Sequence, residues 1–300
     1  MIWLRKGLTG VVIPVLLAVA LAGCSHTSGT QSGSAAHHAT ANASANPLEQ
    51  NGAPLAIDTP KHQHSSSGGV TYQGGAVQHH PRVYLIFWGP KWNGDRSGTV
   101  AAAKTFFGGL NGSPYLHILA QYPDDGGPPT DSTLGGVWMD SSTPSFSSSE
   151  GGDEALSEAS RGIATNSWPV DGDTQVMVFP EIGTAIDGFT TGDTSGSSSF
   201  CGWHDYDQTS GAAYALVPYQ PDAGADSGCD GSNDAAAITA TAAHEWAEMA
   251  TDPQGDAWTG TSDDSEIGDL CSDTAPDGPS GTSVQSLWSN SDGKCVFSTS

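Results

Sequence analysis

The chain has 300 residues, with 33 Asp and Glu against nine Lys and Arg, a formal net charge of −24 and a pI near 4.3. Nucleic-acid binding is excluded as a class, because neutralising phosphates takes clustered Lys and Arg. The acids are interspersed with Ser, Thr and Gly, which reads as a solvated surface and does not by itself indicate calcium.

In chain order, Arg5 and Lys6 precede a short apolar run, Val11–Leu21, and Leu21-Ala22-Gly23-Cys24 then sets small residues before a cysteine. The run is too short to span a bilayer and has signal-peptide flanks. It resembles the bacterial lipobox, so residues 1–24 are expected to be a lipoprotein signal and Cys24 the lipidated residue. Residues 25–69 are rich in Ser, Ala, Gly, Gln, Asn and His. Such a segment buries too little surface to offset its ordering entropy and is expected to be a flexible tether. Five of the ten histidines fall in it, irregularly spaced (His26, His37, His38, His62, His64).

Residues 70–300 are expected to form a single domain. Arg82–Trp88 (RVYLIFW), ending at Gly89-Pro90, predicts a buried strand. Ser97–Tyr122 has helical spacing broken at Gly112–Pro114, Val137–Met139 predicts a short strand, and Asp153–Ala164 a helix after acidic starters. Thr174–Phe179, Phe200–Tyr206 and Ala213–Tyr219 predict three more strands. A long helix should follow from the capping residues Ser232, Asn233 and Asp234 to Ala250, stopped by Asp252-Pro253. The remainder, from Trp258, is turn-rich. This order predicts an α/β domain with a mixed sheet and flanking helices, the general plan of zincin metalloproteases. Beyond Cys24 there are four cysteines, Cys201, Cys229, Cys271 and Cys295, with no C-x-x-C pair. In an exported chain this predicts two disulfides, and sequential pairing closes the shortest loops.

The residues equipped for chemistry lie on the long helix. In His244-Glu245-x-x-Glu248, positions i and i+4 stand on one face, so His244 and Glu248 can grip one metal ion with Glu245 beside it. This is the H-E-x-x-H metallopeptidase arrangement with the second His replaced by Glu. A catalytic zinc takes three protein ligands. Downstream, Glu266 and Asp269 are equal candidates for the third, and Asp252, about 12 Å along the axis from His244, ranks behind them. A carboxylate in place of His weakens the acidification of bound water and moves preference from Zn²⁺ slightly toward Mn²⁺, while His244 argues against calcium. His204, in Phe200-Cys201-Gly202-Trp203-His204, is a candidate transition-state donor or fourth group near the metal; its alternative is a strand-end His bonded to Asp205.

Three blocks in order resemble the Exordium-like, phosphate-induced proteins. They are Gly74-Gly75-Ala76-Val77 with Val83–Gly89, Phe200–His204, and His244–Pro253 followed by Ala257-Trp258 and Glu266–Cys271. Members are secreted or wall-associated, and plant members are linked with cell expansion. The resemblance implies an extracytoplasmic role and marks His204, His244, Glu248, Glu266 and Asp269 as special positions. It implies no particular reaction. The lipobox, the tether and the higher acidity depart from the plant members.

The expectation is thus a monomeric lipoprotein held on the outer face of the cell membrane, or a periplasmic or outer-membrane lipoprotein. Its domain is read as a zinc-dependent, peptidase-like hydrolase acting on a peptide or cell-envelope substrate, with Glu245 as general base. The alternatives are a non-catalytic envelope binding or signalling module that keeps the helix as a structural site, and a polysaccharide binder using Trp88, Trp92 and Trp203, although these rings are expected first to pack in the core or beneath loops.

Overall fold

Strand β2 (Arg82–Trp88) alternates its side chains between two cores, which is why it reads as an unbroken apolar run. Val83, Leu85 and Phe87 join one hydrophobic cluster, and Tyr84, Ile86 and Trp88 join the other. The computed structural model describes residues 68–189, 200–223, 229, 234–260 and 265–299. Cys24, nearly all of the expected tether, and the capping positions Ser232 and Asn233 lie outside them.

The elements in chain order are β1 (Thr71–Tyr72), β2, α1 (Thr99–Gly109), β3 (Thr133–Asp140), α2 (Gly152–Asn166), β4 (Thr174–Pro180), β5 (Trp203–Asp207), β6 (Ala212–Leu216), α3 (Asp234–Thr251), β7 (Trp258–Thr259), β8 (Thr274–Ala275), β9 (Val284–Gln285), β10 (Leu287–Ser289) and β11 (Lys294–Val296). The main sheet has five strands in the order β3-β2-β4-β6-β5. β3, β2, β4 and β6 run parallel, and β5 closes one edge antiparallel to β6. The fold is therefore α/β with a mixed sheet. α1 and α3 contribute to the core on one face, and α2 to the core on the other.

Helix α3 is rich in alanine, the strongest helix former, and its small side chains let it lie close to the sheet. From Ala237 to Thr251 all but Thr241 are buried, so it is a core helix rather than a surface one. It stops where expected, at Thr251 before Asp252-Pro253. Strand bounds differ from the sequence expectation. β3 is longer than Val137–Met139: Gly135 forms a bulge and Gly136 pairs with Tyr84, and neither has a side chain to meet the rings of Tyr84 and Trp168. β5 begins only at Trp203 and β6 ends at Leu216.

Cysteines pair in sequence order, Cys201–Cys229 and Cys271–Cys295. Such bonds suit an oxidising, extracytoplasmic compartment. Among the described residues no helix is long and apolar enough to cross a membrane.

Candidate metal centre

The helical repeat places His244 and Glu248 one above the other, with Nε2 and Oε2 2.8 Å apart. Glu245, one residue round the helix, faces the edge strand. There the pleat sends Trp203 into the α2-side core and turns His204 toward α3, so that His204 Nδ1 lies 3.1 Å from Glu245 Oε2 and 3.8 Å from Glu248 Oε2. Gly202 makes this approach possible, since a Cβ there would sit 2.7 Å from Glu245 Oε1.

The third wall is the loop Glu266–Cys271. Ile267 anchors it in the core, its carbonyl accepts from the Trp288 N–H at 2.7 Å, and the Cys271–Cys295 disulfide ties its end. The N–H groups of Gly268 and Asp269 donate to Glu248 Oε1 at 3.0 and 3.2 Å. One oxygen of Glu248 is thus held by backbone while Oε2 is left facing the cluster. Asp269 is placed similarly: Oδ2 accepts from the Glu266 N–H, and Oδ1 points at His244 Nε2, 3.4 Å away. Glu266 Oε2 lies 3.5 Å from His204 Nε2.

Behind His244 stands Gln285 of β9. Its amide donates to the carbonyls of Gly268 and Cys271, both at 2.8 Å, and packs 3.0 Å from His244 Nδ1. The Tyr115 hydroxyl donates to the Gln285 carbonyl and fixes it in turn. Gly268 has no room for a side chain, because a Cβ would lie 2.6 Å from His244 Nδ1 and 2.8 Å from Glu248 Oε1. Gly268→Ala is therefore expected to push both groups out of place. Overpacking of this kind costs about 1–3 kcal/mol, and disturbed ligand support about 10–100-fold in metal affinity. Thermal melts and metal titration of the variant check both.

Six atoms at the centre are buried without a well-aligned hydrogen bond, although His244 Nε2 lies close to Glu248 Oε2 and Asp269 Oδ1: His204 Nε2, His244 Nε2, Glu245 Oε1, Glu248 Oε2, Glu266 Oε1 and Asp269 Oδ1. Orphan polar atoms are rare in native interiors, and six together need a common partner. Two compact donor groups emerge, His204–Glu245–Glu248 and His244–Glu248–Asp269, each with ligand atoms within 4.8 Å of one another. Either group can hold a metal ion. Imidazole and carboxylate are both common donors to divalent metal ions.

Electrostatics without a cation are unfavourable. Burial, then the neighbouring carboxylates, raise the pKa of Glu245 and Glu266 well above the carboxylate range and that of Glu248 to about 7. Burial opposes protonation of His244, but Glu248, Asp269 and Glu245 outweigh it and push the imidazole well up. Burial and then charged His244 lower His204 to about 3.

All five residues marked by the resemblance, together with Glu245, meet here. Three lower-ranked alternatives are not what the structure shows. Asp252 belongs to neither donor group: its Oδ1 accepts from the Ala257 N–H and closes the turn after α3. His204 is not bonded to Asp205, whose carboxylate takes the Tyr206 N–H and the Tyr214 hydroxyl instead. The three tryptophans are no surface platform. Trp88, Trp92 and Trp203 are buried, with their indole N–H groups on Ser142, Phe179 and Glu150. Gln285 and Gly268 carried no sequence signal beyond their place in or near the Cys271–Cys295 loop. No protein-family model, no curated protein and no solved structure matches this chain.

Proposed function

We propose that this protein is an exported, lipid-anchored metalloprotein whose domain works as a zincin-like, metal-dependent hydrolase of peptide-like bonds. The observation that carries the reading is the convergence of six buried, unpartnered nitrogen and carboxylate atoms from α3, β5 and the Glu266–Cys271 loop. The mixed sheet, with its antiparallel edge strand facing the H-E-x-x-E helix, supports the zincin-like plan. The three sequence blocks support kinship with the Exordium-like proteins, and the lipobox at Cys24 supports attachment to the outer face of a membrane.

A divalent cation, Zn²⁺ in the first instance or Mn²⁺, would supply Lewis acidity to water or a carbonyl. His244, Glu248 and Asp269 would hold it, each oriented by groups behind it. Glu245 would take the proton of the attacking water, since Oε1 is unpartnered and burial raises the basicity of the carboxylate. His204 would stabilise developing charge or assist as a further donor. The slight exposure of the cluster is confined to His244, Glu266 and Asp269, which marks the side of approach.

A second reading is favoured by the burial itself. The side chains of His204, Glu245 and Glu248 are at most 1% exposed, as in closed structural sites. In that case the centre stabilises a binding or signalling module. Glu245→Gln separates the two. For the hydrolase it abolishes peptide hydrolysis, by about 10²–10⁴-fold as for a lost general base, while at least one metal equivalent stays bound. Unchanged function of the envelope in cells carrying Glu245→Gln would establish the second.

A further inference from the structure

We propose that the cluster is a dinuclear centre. One divalent cation is held by His244, Glu248 and Asp269, and a second by His204, Glu245 and Glu248, with Glu248 bridging. This rests on the metal-binding reading above and extends it, with Glu245 and His204 now ligands of the second ion instead of general base and charge stabiliser.

The first ground is the donor arrangement. The two groups are each compact enough for one ion, and they share only Glu248. The shared carboxylate is built for that position. Its Oε1 is taken by two backbone N–H groups, and its bare Oε2 lies between the histidines, 2.8 Å from His244 Nε2 and 3.8 Å from His204 Nδ1. A single catalytic zinc takes three protein ligands, and a structural one four. Here two imidazoles and four carboxylates converge, and each brings an unpartnered buried atom. Glu266 lies 3.5 Å from His204 Nε2, the ring nitrogen turned away from Glu245 and Glu248, and belongs to neither donor group.

Charge is the second ground. Ligating carboxylates are deprotonated and ligating histidines neutral. Glu245, Glu248, Glu266 and Asp269 then bring four negative charges into a buried site. Among the described residues their ion-pair partners are His204 and His244, with no Lys or Arg. One divalent cation balances only two of these four charges, and the other two carboxylates then have to hold protons to stay buried. Two divalent cations bring the site to neutrality. Two imidazoles with four carboxylates are also the donor types that hold paired iron or manganese ions in helical carboxylate proteins, on an unrelated scaffold.

The test is titration of the metal-stripped full-length protein with Mn²⁺, followed by calorimetry and electron paramagnetic resonance. Two equivalents per chain are expected, with the six-line signal of isolated Mn²⁺ replaced by an exchange-coupled spectrum as the second ion enters. His204→Ala should lower the stoichiometry from two to one and remove the coupling. The isosteric Glu245→Gln should at least weaken the second equivalent tenfold, and it serves where His204→Ala does not fold. Saturation at one equivalent, unchanged in these variants, overturns the dinuclear centre and leaves the single-metal reading standing. No bound Mn²⁺ or Zn²⁺ in the folded protein overturns both.

Discussion

Glu248→Gln is expected to have opposite effects on metal binding and on the stability of the metal-free protein. The amide keeps the shape of the side chain and can still accept from the Gly268 and Asp269 N–H groups through one oxygen. Its other end becomes an NH₂ group, which cannot ligate. Structural zinc is worth about 10–16 kcal/mol over some four ligands, so losing one costs about 3 kcal/mol, or on the order of a hundredfold in affinity. Without metal the sign reverses. Burial and Asp269 raise Glu248 from its ordinary 4.5 to about 7, a penalty on the ionised form of about 3 kcal/mol. Removing that charge should make metal-free Glu248→Gln at least as stable as the parent at pH 8. Paired melts with chelator and with Zn²⁺ measure both arms. A variant destabilised equally in the two conditions would reduce Glu248 to a packing residue.

The second large effect is on pH dependence. Glu245, Glu248 and Glu266 have folded pKa values above 4.5, and His244 one above 6.5. For such groups the native state holds protons that the unfolded chain has released. Their stability contribution is present at low pH and is lost as pH rises through the folded values. His204 works the other way: lowered from 6.5 to about 3, it costs stability as pH falls below 6.5. Three carboxylates outweigh one imidazole between pH 4.5 and 7. Metal-free protein should therefore lose stability as pH rises from 5 to 8, on the order of 1–3 kcal/mol per pH unit where the carboxylates titrate. Metal displaces the same protons, so its affinity rises with pH and the loaded protein should show a flat or rising midpoint over that range. Parallel curves with and without metal would mean that these groups do not share a cation.

Much of this arrangement was legible before any fold was known. An apolar run as dense as Arg82–Trp88 has few alternatives to a buried parallel strand, and an alanine-rich stretch ended by Asp252-Pro253 has few alternatives to a helix. His244 and Glu248 followed from helical periodicity alone. The ranking of Asp252 below Glu266 and Asp269 followed from helix rise. The remainder depends on distant pairings that no local pattern encodes. His204 enters the cluster because β5 runs antiparallel at the sheet edge, and the register His204 to Ala215 turns its ring toward α3. From sequence, His204 next to Asp205 was an equally good local pair. Gln285 reaches His244 across 41 residues, from a two-residue strand in a turn-rich tail. Glycines 202 and 268 matter for what approaches them rather than for a turn they make, so their importance is visible only in three dimensions.

If the six buried donor atoms hold metal, elemental analysis of the full-length protein, purified without chelator and without added metal, will find at least one equivalent of zinc or manganese per chain, lost on His244→Ala. A folded, disulfide-intact protein with no transition metal, and none taken up on addition of Zn²⁺ or Mn²⁺, would contradict it.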